Sequence, residues 1–426
     1  MYDLTQTSFL FSVYANAASS IEGTAPQLAG LLGLALDQGG SWSNGTQTYA
    51  VRGLLNEIGG QLYGGDWEVA WGPAVYQPAN TRYAANAMAV LYSKALDLHV
   101  VATAGTNMDD IYDWFREDLP LGPNAMVDFP VSLATPPKGG AANGTVPQVS
   151  LGTAQGIYDL LVNMVDQNGV TVSLLDYLSG LTPGIAGTST ILFVGHSLGG
   201  ALSATLPLQV LATIKDWAWT AQGGKVDAMP TAAPTPGNQL FSNLWASQLQ
   251  PVPVAGTAAA NQVTALNVPI EDAVDLVPHA WTNIFAETQD PSDPYYFFDS
   301  TLIPPTLGSL TVKLGGLLAP PVALAARAAQ QNGEGALIAK LPNVQQLQPS
   351  FPISYWNAAT QAFASYSLPP APVTDIPTFK TMLFMVHVWQ YFQFFGITTS
   401  ALPYPITAQQ SGKAAAGTRL AATEQA

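Results

Sequence analysis

The chain contains no cysteine. That excludes disulfide frameworks, a thiol nucleophile and thiolate-held metals. Charge is scarce as well. Asp, Glu, Lys and Arg make up 10% of the 426 residues, and only 13 are Lys or Arg against 28 Asp or Glu. A net charge of −15 argues against nucleic acid as a partner, because nothing neutralises the phosphates. It argues equally against electrostatic docking on anionic membranes. No uninterrupted apolar run reaches the roughly 18 residues of a membrane span, so no transmembrane segment is expected. Met1-Tyr2-Asp3 lacks the basic residues that open a signal peptide. Histidine is confined to His99, His196, His279 and His387, so any imidazole chemistry must draw on these four.

What remains is a chain that is 48% hydrophobic, with 38 glycines and 33 prolines. This is a folding composition with many turns and long connections. Acidic groups keep such an apolar protein in solution, and any meeting with a lipid–water interface must be driven by apolar contact.

Apolar spacing predicts helices around Leu10–Ala18 and Leu28–Leu36, within an N-terminal helical segment 1–40. Gly39, Gly40, Ser41 and Ser43 read as a break, and the Gly/Trp-rich stretch 59–77 as irregular chain. Ala87–Tyr92 and Leu98–Ala104 predict a hairpin. The Pro/Gly-rich stretch 120–147 predicts a long loop, and Ala154–Val165 a helix. Ile191–Val194, a short apolar run between Thr and Gly, predicts a buried parallel strand. Leu198–Ile214 predicts a helix kinked at Pro207, and Val263–Val268 another strand. Alternating strands and helices from 87 to 280 predict an α/β fold with a mostly parallel central sheet flanked by helices. Residues 1–408 are expected to form a single domain. Within it, 281–380 is either a cap or extra helices on the sheet, and the small, polar tail 409–426 is expected to be mobile.

Gly195-His196-Ser197-Leu198-Gly199 matches G-x-S-x-G, the nucleophile elbow of the α/β-hydrolase fold. The pentapeptide alone also fits a chance Gly/Ser turn. Here a predicted strand precedes it and a predicted helix follows, which is the context the motif requires. Ser197 must sit in a strained turn where side chains at 195 and 199 collide with neighbouring backbone. The helix N-terminus then aims its N–H groups at developing negative charge.

A serine nucleophile needs a base, nearly always histidine. His196 lies inside the elbow, with its side chain expected to point away from Ser197. His99 precedes the elbow and reads as a structural strand histidine. In chain order Ser, acid, His, His279 and His387 remain. Asp272 and Asp275 are the acids to orient either one. His279 stands only four residues beyond Asp275, too near to face it easily. His387 lies far downstream among aromatic residues that shield a site from water, and is preferred. Without Ser197 it reads as a core histidine beside Trp389 and Tyr391.

Taken together, these residues resemble the fungal-type class 3 lipase family. The elbow Val194–Ala201 is the strongest match. Val100–Thr106 is similar to the family strand whose last residue, here Thr106, supplies an oxyanion-hole N–H; the second donor is that of Leu198. Asp113-Trp114 and Asp118-Leu119, then Pro234–Asn238 with Phe241, match in order. Asp275–His279 is similar to the Asp-x-Val-Pro-His segment whose Asp is the triad acid, which selects Asp275 and makes His279 a neighbour. His387 with Tyr391, Phe392, Gly396 and Ile397 resembles the segment of the catalytic histidine. The resemblance implies an α/β-hydrolase fold with a large insertion before that histidine and the triad Ser197, Asp275 and His387. It implies a triacylglycerol-type ester hydrolase needing no metal or organic cofactor, with secretion plausible and a lid at 107–125. Asp109, Asp110, Asp113, Glu117 and Asp118 read as a solvated face rather than a calcium site. Two further functions fit the same residues: a carboxylesterase on short or aromatic esters, and a non-catalytic lipase-like binding module.

Overall fold

The computed structural model describes residues 1–79, 81–105, 126–141, 143–184, 188–254, 261–272, 275, 277–278, 361–363, 385–399, 402 and 406–408. The expected lid 107–125, the tail 409–426 and the segment 281–380 apart from 361–363 lie outside them.

Helix α1 (Leu4–Tyr14) starts earlier than its apolar spacing indicates, because a capping box sets its first turn. The Asp3 carboxylate accepts from the N–H groups of Thr5 at 2.9 Å and Gln6 at 3.0 Å, and the Gln6 amide oxygen accepts from Asp3 N–H at 2.9 Å. Asn261, brought from far along the chain, donates to the same carboxylate at 2.8 Å. Most of the helix is buried, its Thr and Ser residues included. Helix α2 (Ala25–Leu36) is capped by Thr24. The expected break after it is a hairpin of Gly40–Ser43 with Thr48–Val51. Asn44 turns the chain there by accepting from Thr46 N–H at 3.0 Å and Gln47 N–H at 2.9 Å.

Among the described residues seven strands form the main sheet: β1 (Trp67–Tyr76), β2 (Asn86–Ser93), β3 (Leu98–Thr103), β4 (Thr190–His196), β5 (Lys225–Thr231), β6 (Ile270–Asp272) and β7 (Gln361–Phe363), in the order β7-β6-β5-β4-β3-β2-β1. The first three are an antiparallel meander, and β3 to β7 pair in parallel. Strand β1 corrects the reading of 59–77 as irregular. Its pairing with β2 shifts between Val69 and Trp71 and again between Trp71 and Ala74. Gly72, at φ 75°, stands in the second shift. Bulges break the two-residue alternation that sequence reading relies on. Val263–Val268 contributes only Ala265–Leu266, paired with Val252–Pro253 outside the main sheet. The main-sheet strand follows at Ile270–Asp272, so Asp272 stands at a strand end. Inside the expected loop 120–147, Met126–Asp128 pairs with Gln148–Ser150 just beyond it.

Helices α3 (Leu151–Val162) and α4 (Leu198–Thr213) lie on the opposite face of the sheet from α1 and α2; α4 continues through Pro207. Alternation decides which core each strand residue joins. Leu98, Val100, Ala102, Leu192, Val194 and Met229 pack with α1 and α2. Val101, Ile191, Phe193 and Ala228 pack with α3 and α4. Both faces of β3, β4 and β5 are therefore covered, which is why these strands read as continuous apolar runs.

Candidate active site

Strand β4 ends at His196, helix α4 begins at Leu198, and Ser197 is the single residue between them, at φ 62° and ψ −131°. A positive φ at a serine costs about 1–3 kcal/mol and persists only where surrounding structure imposes it. Here the constraint is direct. Ser197 N–H is held by the Thr231 carbonyl of the neighbouring strand at 3.1 Å. A Cβ on Gly195 would stand 1.9 Å from the Gly199 carbonyl oxygen, and one on Gly199 would stand 2.5 Å from that of Thr103. The expected collisions at 195 and 199 are thus present. Ser197 is 5% exposed.

Leu198 is the first residue of α4, where an N–H has no acceptor within the helix. The chain leaving β3 passes directly over the elbow: a Cβ on Gly105 would meet the His196 carbonyl at 2.5 Å and Ser197 Cβ at 3.1 Å. Thr106, the next residue, lies outside the described residues, as do His279 and the acidic cluster from Asp109 to Asp118.

Asp275 and His387 are both fully buried and meet across 112 residues of sequence, with His387 Nδ1 2.7 Å from Asp275 Oδ2. A carboxylate accepts, so Nδ1 carries the proton and Nε2 presents its lone pair. Among the described residues Nε2 has no hydrogen-bond partner. No hydrogen bond joins it to Ser197. Asp275 Oδ1 also accepts from Val277 N–H at 3.0 Å, and Oδ2 from the Tyr391 hydroxyl at 3.0 Å.

Asp272 does not hold the imidazole. Its backbone N–H donates to the Tyr391 hydroxyl oxygen at 2.9 Å. Burial, and then the negative charge of Asp275, push the Tyr391 phenol well above its ordinary range, so it remains a donor. Tyr391 was not singled out as a partner of the acid. Its four-residue distance from His387 was the available signal, since such spacing puts two side chains on one helical face. His387 itself sits in a π-helix, Met385–Trp389, continued by α5 (Gln390–Phe394); single π turns frequently occur at functional sites.

Two further histidines, His99 and His196, lie among the described residues. His99 stacks on Tyr92 with ring centres 4.4 Å apart and accepts or donates to the Tyr177 hydroxyl at 3.0 Å, the structural strand role expected of it. Burial lowers its pKa to about 4. His196 reaches into the His387 segment, with Nε2 2.7 Å from the His387 carbonyl oxygen, a contact that nothing in the sequence indicates. Among the described residues no group of three or more His, Cys, Asp or Glu is arranged to hold a metal ion.

No family model and no curated protein matches the sequence. Solved structures do match. M37 lipase superposes with a TM-score of 0.57 over 93% of both chains, at 21% identity. The chain has the fold of a lipase. The central sheet is mixed but mostly parallel, flanked by helices, as an α/β-hydrolase requires. A triacylglyceride lipase from Rhizomucor miehei aligns over 50% of this chain and 60% of its own, with a TM-score of 0.32 and 16% identity. A propeptide complex of Rhizomucor miehei lipase aligns over 65% and 62%, with a TM-score of 0.37 and 14% identity. The match to M37 lipase agrees with the sequence resemblance at the level of the fold; residues 197 and 275 both follow the C-terminal ends of parallel strands, and His387 reaches them through its contacts with His196 and Asp275.

Proposed function

We propose that the protein is a serine ester hydrolase of the lipase type, with Ser197 as nucleophile, His387 as base and Asp275 as the acid that orients it. One observation carries the reading: a fully buried Asp275–His387 pair whose Nε2 has no partner among the described residues, in the same fold as a serine held at positive φ between strand and helix. A structural core histidine normally has both ring nitrogens satisfied.

In this mechanism Ser197 Oγ attacks the ester carbonyl and its proton passes to His387 Nε2. The imidazolium is stabilised by Asp275 and returns the proton to the departing alcohol. Water, deprotonated by the same nitrogen, then breaks the acyl–Oγ bond and releases the acid. The N–H of Leu198 and, from the family resemblance, that of Thr106 hold the oxyanion, each worth about 3–4 kcal/mol. Acylglycerols as substrates come from the resemblance of the sequence motifs to fungal-type class 3 lipases, and the fold shared with M37 lipase is in keeping with that.

The test is hydrolysis of a short soluble ester and of an emulsified long-chain triacylglycerol, by the parent and by Ser197→Ala. Turnover of both by the parent and a loss of about a million-fold in the variant is expected. Turnover confined to the short ester reassigns the protein as a carboxylesterase. Equal rates for Ser197→Ala and the parent overturn the reading.

A further inference from the structure

The elbow histidine occupies a place that the triad does not explain. His196 Nε2 is 2.7 Å from the backbone carbonyl oxygen of His387, a contact spanning 191 residues. A carbonyl only accepts, so Nε2 carries the hydrogen and Nδ1 a lone pair. Nδ1 lies 3.1 Å from the Thr231 hydroxyl, which is also 3.0 Å from the Gly195 carbonyl oxygen. Nε2 is therefore engaged, while Nδ1 faces the Thr231 hydroxyl, whose single proton goes to Nδ1 or to the Gly195 carbonyl oxygen. The His196 backbone is pinned by its pairing with Thr231 in the sheet. Phe9 and Tyr391 meet the ring edge-on, with centres at 5.8 Å and 5.0 Å, and the His387 ring lies at 4.9 Å. Burial and the neighbouring His387 hold His196 well below the usual histidine range, so it stays neutral as His387 gains its proton.

We propose that His196 is a positioning residue: its Nε2–H holds the backbone of His387 against the residue preceding Ser197 and so sets the separation of base and nucleophile. The proposal rests on the reading of Ser197 and His387 given above. One rigid strand end carries the nucleophile on its next residue and grips the base through its own side chain. An error in either position is thereby shared by both, and their relative geometry is preserved.

The test compares His196→Phe, His196→Gln and Thr231→Val on a soluble ester, with rates expressed per serine titratable by a fluorophosphonate. Phenylalanine keeps the ring packing and removes the donor. Glutamine places an amide N–H as many bonds from Cα as Nε2. His196→Phe is expected to lower kcat by about 100-fold, the cost of roughly 1 Å of misplacement, with KM unchanged. His196→Gln is expected to recover most of that loss, and Thr231→Val to lose several-fold. If His196→Phe matches the parent per titrated site, or His196→Gln is no better than His196→Phe at equal thermal stability, His196 is a packing residue and the proposal is wrong. Should His196→Phe not fold, parent-like kcat in Thr231→Val overturns the proposal, and a reduced kcat there with recovery in His196→Gln supports it. Unreduced activity in Ser197→Ala is a separate failure, of the triad itself.

Discussion

The two halves of the proposed site are built by different means. The nucleophile half is local: β4, Ser197 and α4 are consecutive in sequence, and the turn is forced by crowding that involves Gly195 and Gly199. The acid–base half is assembled from a distance. Asp275 follows β6, and His387 arrives 112 residues later, held by hydrogen bonds from Tyr391 to Asp275 and from His196 to its own backbone. The hydrophobic face of α1 completes it. Phe9 stacks on Phe395 at 4.3 Å, and the Gln6 amide donates to the Phe395 carbonyl at 2.7 Å. A local turn carries its instructions in five residues. A distant pair needs the whole sheet and the N-terminal helix to be right.

Three perturbations separate these halves. The largest effect is expected from Asp275→Asn in the distant half. An amide in place of the carboxylate leaves the fold but favours the wrong tautomer of His387. The expectation is a loss of about 10⁴ in kcat with little change in thermal stability, measured by initial rates alongside a melt. A near-parent kcat breaks the claim that this pair belongs to the site.

Gly195→Ala attacks the local half and should show the reverse signature. A Cβ cannot be accommodated 1.9 Å from a carbonyl oxygen, so the turn must open. A destabilisation of about 3 kcal/mol is expected by urea melting, accompanied by lost activity. A stable, active Gly195→Ala variant removes the case for a crowded elbow.

His99 belongs to neither half and sharpens the comparison as a control. Its pKa is lowered to about 4 from 6.5 by burial, and Asp97 opposes this only in part. The unfolded chain takes up a proton between these values that the folded chain does not. The contribution to stability is therefore full above about pH 6.5 and is lost as pH falls toward 4, on the order of 3 kcal/mol in all. His99→Phe should flatten that part of the stability–pH curve, while His196, shifted in the same direction, leaves a residual slope. It should also cost about 1 kcal/mol near neutrality through the lost Tyr177 bond, with kcat unchanged. Urea melts between pH 4 and 7 measure all of this.

Much of this was legible beforehand, and the reason differs from residue to residue. The elbow could be read because its strand, turn and helix are contiguous and its glycines answer a local clash. The hairpin of β2 and β3 and the helices α3 and α4 could be read from period and length, to within a few residues. Strand β1 could not, because its bulges disrupt alternation and its Gly, Trp and Pro content imitates a loop. The start of α1 was misplaced because apolar spacing does not see a polar capping box. The bonds of Tyr391 and His196 reach groups 116 and 191 residues away; only the four-residue distance of Tyr391 from His387 hints at one of them, and nothing in the sequence hints at the other.

By itself, then, the sequence determined the chemistry on offer: no thiols, four imidazoles, one serine in a strand–turn–helix context, and alternating apolar runs that bury a mostly parallel sheet. These are properties of composition and short-range sterics, and they survive without knowledge of the fold. The motif resemblance already favoured Asp275 over Asp272; only the tertiary structure decided that Asp275 and His387 meet at 2.7 Å, that the Tyr391 hydroxyl binds Asp275, and that His196 holds the His387 backbone. Those choices depend on which distant segments share a desolvated interior, where an unpaired donor or acceptor is costly and partners are selected by reach rather than by order in the chain.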